Sequence, residues 1–106
     1  MKSKLPSFGL AVLLLLPAVA WAADPDEGER FARRVCSTCH SIAAGISPMA
    51  EAPPFATVAR SKKFRTRGAQ LLFDQHVIMP TFAFTNEQAE DIAAYLKALA
   101  RRRVRY

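Results

Sequence analysis

Five consecutive residues, Cys36-Ser37-Thr38-Cys39-His40, bring together two thiols and an imidazole. On a helix, positions i, i+3 and i+4 share one face, so all three groups point the same way from about one turn of backbone. Each thiol can add to a vinyl group on one edge of a haem while the imidazole reaches the iron, and the spacing is the c-type haem attachment pattern. Three other chemistries fit these residues less well. A disulfide would close a loop too short to stabilise the chain much, and it leaves His40 without a role. A thioredoxin-like redox pair needs a βαβ setting that the flanking sequence lacks. A zinc site needs four ligands, and adjacent Cys39 and His40 cannot easily both face one tetrahedral ion. Covalent haem also uses both cysteines that the chain possesses.

Iron has a second axial position. Met79 stands directly before Pro80, in a stretch that proline keeps out of the helical region and that can bend over an open haem face. It is the first choice for sixth ligand, ahead of His76 and then Met49. The ordinary role of a lone methionine such as Met49 is core filling, and that of His76 is to meet the dipole at a helix C-terminus. The choice has a physical consequence: a soft, neutral thioether favours Fe(II) and raises the reduction potential, whereas a second imidazole lowers it.

The elements that must position these groups occupy less of the chain than its 106 residues suggest. Residues 5–23 carry no charge, follow Lys2 and Lys4, and end in Ala20-Trp21-Ala22 after the helix breaker Pro17. A basic start, a short apolar run and small residues at the cut form a secretory signal peptide over residues 1–22. The alternative, an uncleaved anchor, fares worse. Residues 10–16 are few against the roughly 20 a spanning helix needs. No paired arginine precedes the run and no cysteine follows it, which excludes a twin-arginine route and a lipid anchor. Cutting after residue 22 leaves 84 residues, residues 23–106, with net charge +4 and without Trp21. Export suits covalent haem attachment, which belongs outside the cytoplasm, and places the protein in the periplasm. It also removes nucleic acid as a partner, despite an isoelectric point near 9.9.

The remaining segment reads as all-α. Asp24-Pro25-Asp26-Glu27 supplies a cap, a proline for the first helical position and acids that suit the dipole. Phe31, Ala32 and Val35 form an apolar stripe that runs into Cys36. Residues 41–54 are rich in Ser, Gly, Ala and Pro and predict a loop. Residues 55–58 predict a short helical turn and residues 66–76 a helix with Leu71, Leu72 and Phe73 as its apolar residues. Thr85-Asn86-Glu87-Gln88 matches a capping box. Behind it, Ala89, Ile92, Ala93, Leu96 and Leu99 recur at helical steps, with Tyr95 flanking that face. No segment predicts a β-strand. A domain this small, with two cysteines and no tryptophan, has a thin core that something else must thicken.

With these residues in place, residues 24–99 resemble the class I c-type cytochromes, the small monohaem cytochrome c family. The resemblance rests on Gly28 and Phe31, Cys36-Ser37-Thr38-Cys39-His40, Pro53-Pro54-Phe55, Met79-Pro80 and Ala94-Tyr95-Leu96. It implies an N-terminal and a C-terminal helix packed around one covalently bound haem c, crossing at Gly28, Phe31 and Tyr95. It implies a proline carbonyl, from Pro53 or failing that Pro54, that orients His40 through its ring N–H. Cys36, Cys39, His40 and Met79 become the cofactor-binding residues, with His40 and Met79 on the metal. The tryptophan that often bonds a haem propionate in such proteins is absent after cleavage. Arg60, Lys62, Lys63, Arg65 and Arg67 are candidates by charge, and none is assigned.

An iron with both axial positions filled by protein performs outer-sphere electron transfer rather than oxygen chemistry. The expectation is an exported one-electron carrier that is not itself an enzyme. The alternative is a haem subunit of a periplasmic dehydrogenase or oxidase complex. A third reading is a ligand-sensing haem with a displaceable Met79. Partners would be redox proteins. Arg101-Arg102-Arg103-Val104-Arg105 could dock on acidic protein surfaces or on an anionic membrane, with salt-dependent association.

Overall fold

The structure is a computed structural model and describes residues 22–74 and 84–102. Four α-helices run in the order α1 (Pro25–Phe31), α2 (Phe55–Ala59), α3 (Lys62–Arg67) and α4 (Asn86–Arg101). There is no strand among the described residues, and no helix among them is long and apolar enough to cross a membrane.

The two terminal helices pack directly on one another, and this crossing organises the fold. α1 begins as its sequence predicts. The Asp24 carboxylate accepts from the amides of Asp26 (2.9 Å) and Glu27 (3.4 Å), with Pro25 in the first turn. The Asp24 amide in turn donates to the Asp91 carboxylate of α4 at 2.8 Å, fastening the start of α1 to its partner. Gly28 lies at the contact itself. A Cβ there would stand 2.0 Å from the Asp91 carbonyl oxygen and 2.9 Å from the Ile92 nitrogen. Only a residue without a side chain lets the two backbones approach so closely.

α4 carries most of the core. Thr85 Oγ1 accepts from the Gln88 amide at 3.1 Å while the Gln88 side chain accepts from the Thr85 amide at 2.9 Å, completing the capping box. Thr85→Ala is expected to cost about 1 kcal/mol, read as a lower denaturant midpoint with unchanged slope. The predicted face of Ala89, Ile92, Ala93, Leu96 and Leu99 is buried throughout. Tyr95 does not flank this face but belongs to it: at 2% exposure it is among the largest fully buried side chains, with Ile92 and Leu96. An amphipathic tyrosine looks like a boundary residue in sequence, and here its ring is core while its hydroxyl finds a backbone acceptor.

Between the terminal helices the chain departs from expectation once. The predicted helix over residues 66–76 starts earlier and changes character. α3 is capped by Ser61, whose hydroxyl accepts from the Phe64 amide at 3.1 Å, and Phe64 is its buried anchor. It stops at Gly68, whose φ of +57° breaks the α-helix, and the chain continues as a 3-10 helix over Gly68–Phe73. Leu71 and Leu72 pack against the core from this tighter turn, while Phe73 stays exposed. Arg67 closes the segment on the Asp74 carboxylate, with one hydrogen bond at 2.7 Å and a second nitrogen–oxygen ion-pair contact at 2.6 Å.

Candidate functional site

The motif begins where α1 ends. Residues Ala32–Cys36 widen into a single π-helical turn, closed by the Ser37 amide on the Ala32 carbonyl at 3.0 Å. Such single π-turns inside a helix are frequent at functional sites. The next turn tightens again: the amides of Cys39 and His40 both donate to the Cys36 carbonyl, at 3.2 and 2.9 Å. Cys36 and His40 are thereby stacked one turn apart with Cys39 between them, as the spacing requires.

Both thiols are half-buried and unpaired, so the structure holds no disulfide here. Burial, with Cys39 beside it, pushes the Cys36 thiol up to about 11. Burial thus disfavours the thiolate form of Cys36 in the folded chain. Among the described residues no three His, Cys, Asp or Glu side chains converge as metal ligands.

His40 is fixed from one side. Its Nδ1 lies 2.7 Å from the Pro53 carbonyl oxygen, and the ring sits 5.3 Å from that of buried Phe55. A carbonyl only accepts, so Nδ1 carries the proton and Nε2 presents a lone pair. That is the tautomer a metal-ligating histidine needs. Of the two prolines proposed for this bond, Pro53 makes it. Pro54 instead occupies the cap position of α2.

The loop that delivers Pro53 is the predicted one, and its bonds explain its course. The Met49 amide donates to the Cys39 carbonyl at 3.0 Å, and the buried Ser47 hydroxyl accepts from the Ser41 amide at 3.0 Å. Gly45, with φ of +109°, turns the chain between them. The far end is tied back as the Phe55 amide meets the Ser41 carbonyl at 2.8 Å and the Ala56 amide meets the Ala43 carbonyl at 3.0 Å. Tyr95 donates from its hydroxyl to the Ile42 carbonyl at 2.6 Å. Burial, and then the Glu29 carboxylate, push this phenol up, keeping it a donor.

Phe84 was not singled out in the sequence, yet its ring lies 6.0 Å from Phe31 and 5.6 Å from Phe73 in edge-on contacts. It joins α1, the 3-10 helix and the entry to α4. No periodic signal marks it, since it stands outside every helix. Met79 and His76, the first two choices for sixth ligand, lie outside the described residues. Three of the basic residues considered for propionates already have protein acceptors: Arg60 bonds the Ala56 and Arg102 carbonyls, Arg65 the Arg60 carbonyl, and Arg67 the Asp74 carboxylate. Lys62 and Lys63 are exposed.

The donor set thus fits a covalently held haem. Two unpaired thiols on one turn are adjacent to an imidazole whose free nitrogen is set by a neighbouring carbonyl. Partly exposed apolar side chains, Phe31, Leu71 and Leu72 among them, pack against the same core. The comparisons agree. The family model "Cytochrome c" matches residues 25–100. A cytochrome c-552 of Bradyrhizobium diazoefficiens is 42% identical over 82 residues, covering 76% of this chain and 79% of the relative. No solved structure matches. Its terminal-helix crossing, its attachment turn and its sequence together place this chain in the cytochrome c family, as a class I c-type cytochrome that carries electrons on covalently bound haem c.

Proposed function

We propose that the protein is an exported monohaem carrier whose iron is ligated by His40 and Met79, with Cys36 and Cys39 holding the porphyrin through two thioethers. The observation that carries this reading is the 2.7 Å contact between His40 Nδ1 and the Pro53 carbonyl, which leaves Nε2 directed as a ligand. When bound, the haem supplies a one-electron Fe(III)/Fe(II) couple. The chain's residues hold and tune it: His40 contributes a nitrogen made more basic by its carbonyl partner, and Met79 a soft, neutral sulfur.

The loop argues against Met49 as the sixth ligand. It belongs to the segment that closes on the Nδ1 edge of the imidazole, with its amide bonded to the Cys39 carbonyl. A second protein ligand would come from a segment other than the one that holds Nδ1 of His40. Met79 is favoured over His76 because the residue before a proline is extended and able to reach outward.

Residues 1–22 serve as the export signal and residues 23–106 as the periplasmic haem domain. Redox proteins are the partners. The exposed Arg101 and Arg102, beside Arg60, extend into a basic C-terminus suited to acidic surfaces or an anionic membrane. The test is haem staining on a denaturing gel, with the optical spectrum of wild type beside that of Met79→Ala. Stained protein is expected in both, with the low-spin reduced spectrum lost in the variant. Absence of covalent haem overturns the proposal, and an unchanged variant spectrum transfers the sixth position to His76.

A further inference from the structure

We propose that Tyr95 is a positioning residue for His40, acting from the C-terminal helix through residues 41–43 to hold the Pro53 carbonyl on the imidazole. The inference rests on the reading of His40 as the iron ligand. Three successive carbonyls leave the attachment turn, and each is fastened. Ser41 accepts from Phe55 at 2.8 Å, Ile42 from the Tyr95 hydroxyl at 2.6 Å, and Ala43 from Ala56 at 3.0 Å.

The two outer bonds cap α2. The first amides of a helix have no internal partner, and Pro54 has no side-chain group to satisfy them. The carbonyls of Ser41 and Ala43 take that place. These bonds set the two members of the His40–Pro53 contact in register, since Ser41 follows His40 directly and Phe55 stands two residues after Pro53. Phe55 and Ala59 seat α2 in the core it shares with α4, and the Tyr95 hydroxyl adds a directed bond from that core to the 41–43 segment, because its ring is locked in α4. The position of the carbonyl that tunes the imidazole is thus referred to the helix that supplies most of the buried core among the described residues.

A ring that only fills the core would not need its hydroxyl for this. Tyr95→Phe separates the two roles, since it keeps the ring and removes one hydrogen bond of about 1 kcal/mol. In the reduced haem protein, exchange of the His40 Nδ1 proton and of the Phe55 and Ala56 amides is expected to quicken roughly fivefold. The reduction potential should rise, because a looser Nδ1–H bond leaves the imidazole a poorer donor to Fe(III). Leu99→Ala opens a cavity on the same helix and removes no hydrogen bond to the 41–43 segment. It should lower stability more and leave the potential where it was.

Ser47→Ala supplies a second perturbation, removing the Ser41 amide's acceptor at 3.0 Å while leaving the helix packing alone. It should shift the potential in the same direction. An unchanged potential and unchanged His40 proton exchange in Tyr95→Phe would overturn the inference. So would an equal shift of potential in Leu99→Ala. Failure of the wild type to carry covalent haem defeats the underlying reading instead. The tether, which rests on that reading, falls with it.

Discussion

Gly28→Ala should destabilise the haem protein by about 3 kcal/mol, although helix propensity alone predicts a gain. Replacing glycine by alanine inside a helix ordinarily stabilises it by roughly 0.5–1 kcal/mol. Here the added methyl would stand 2.0 Å from the Asp91 carbonyl oxygen and 2.5 Å from its carbon. Both are backbone atoms of α4, which no rotamer change can move aside. The helices must therefore separate, and the Asp24 amide would leave the Asp91 carboxylate that fastens the start of α1. Gly45 gives the contrasting case, because a Cβ there meets nothing within 4 Å and only its φ of +109° opposes substitution. Chemical denaturation of the two alanine variants beside wild type would decide the matter. A Gly28→Ala protein as stable as wild type would mean that α1 and α4 do not cross at this residue.

What the sequence made legible was local. The attachment turn needs only residues 36–40, the capping box only Thr85 and Gln88, and the α4 face only a repeat at helical steps. Each was found where its spacing put it. Pro53 was legible through family resemblance rather than spacing, since it stands thirteen positions after His40, across an irregular loop. The less legible features depend on tertiary contact. Tyr95 is core rather than border because the carbonyl of Ile42, 53 residues away in sequence, satisfies its hydroxyl. Phe84 matters through two rings that no periodicity connects to it. α3 was misplaced because Leu71, Leu72 and Phe73 look like a helical apolar run, while the positive φ that ends the α-helix sits at Gly68 just before them.

The second large effect concerns the haem-free chain. Cys36→Ser combined with Cys39→Ser, prepared without haem, is expected to lose most of its helical circular dichroism. Of the eleven buried apolar residues among those described, five are alanines, which bury little apolar surface each. α2 and α3 are five and six residues long, well below the roughly 12–15 at which an isolated helix becomes even marginal. They persist only while tertiary contacts hold them. α4, with 16 residues and a capping box, is the one element able to keep partial helicity alone. The residual signal should therefore be small and should melt without a cooperative transition. Full helicity with a sharp transition would show instead that the protein core suffices. An open haem-free chain also accounts for the burial of the attachment residues. Cys36 is half-buried once the fold closes, and burial disfavours its thiolate there, so the open chain presents the more reactive thiol. The same thin core that leaves the free chain unfolded keeps its two thiols within reach, and closing the fold around the attached group then shields them.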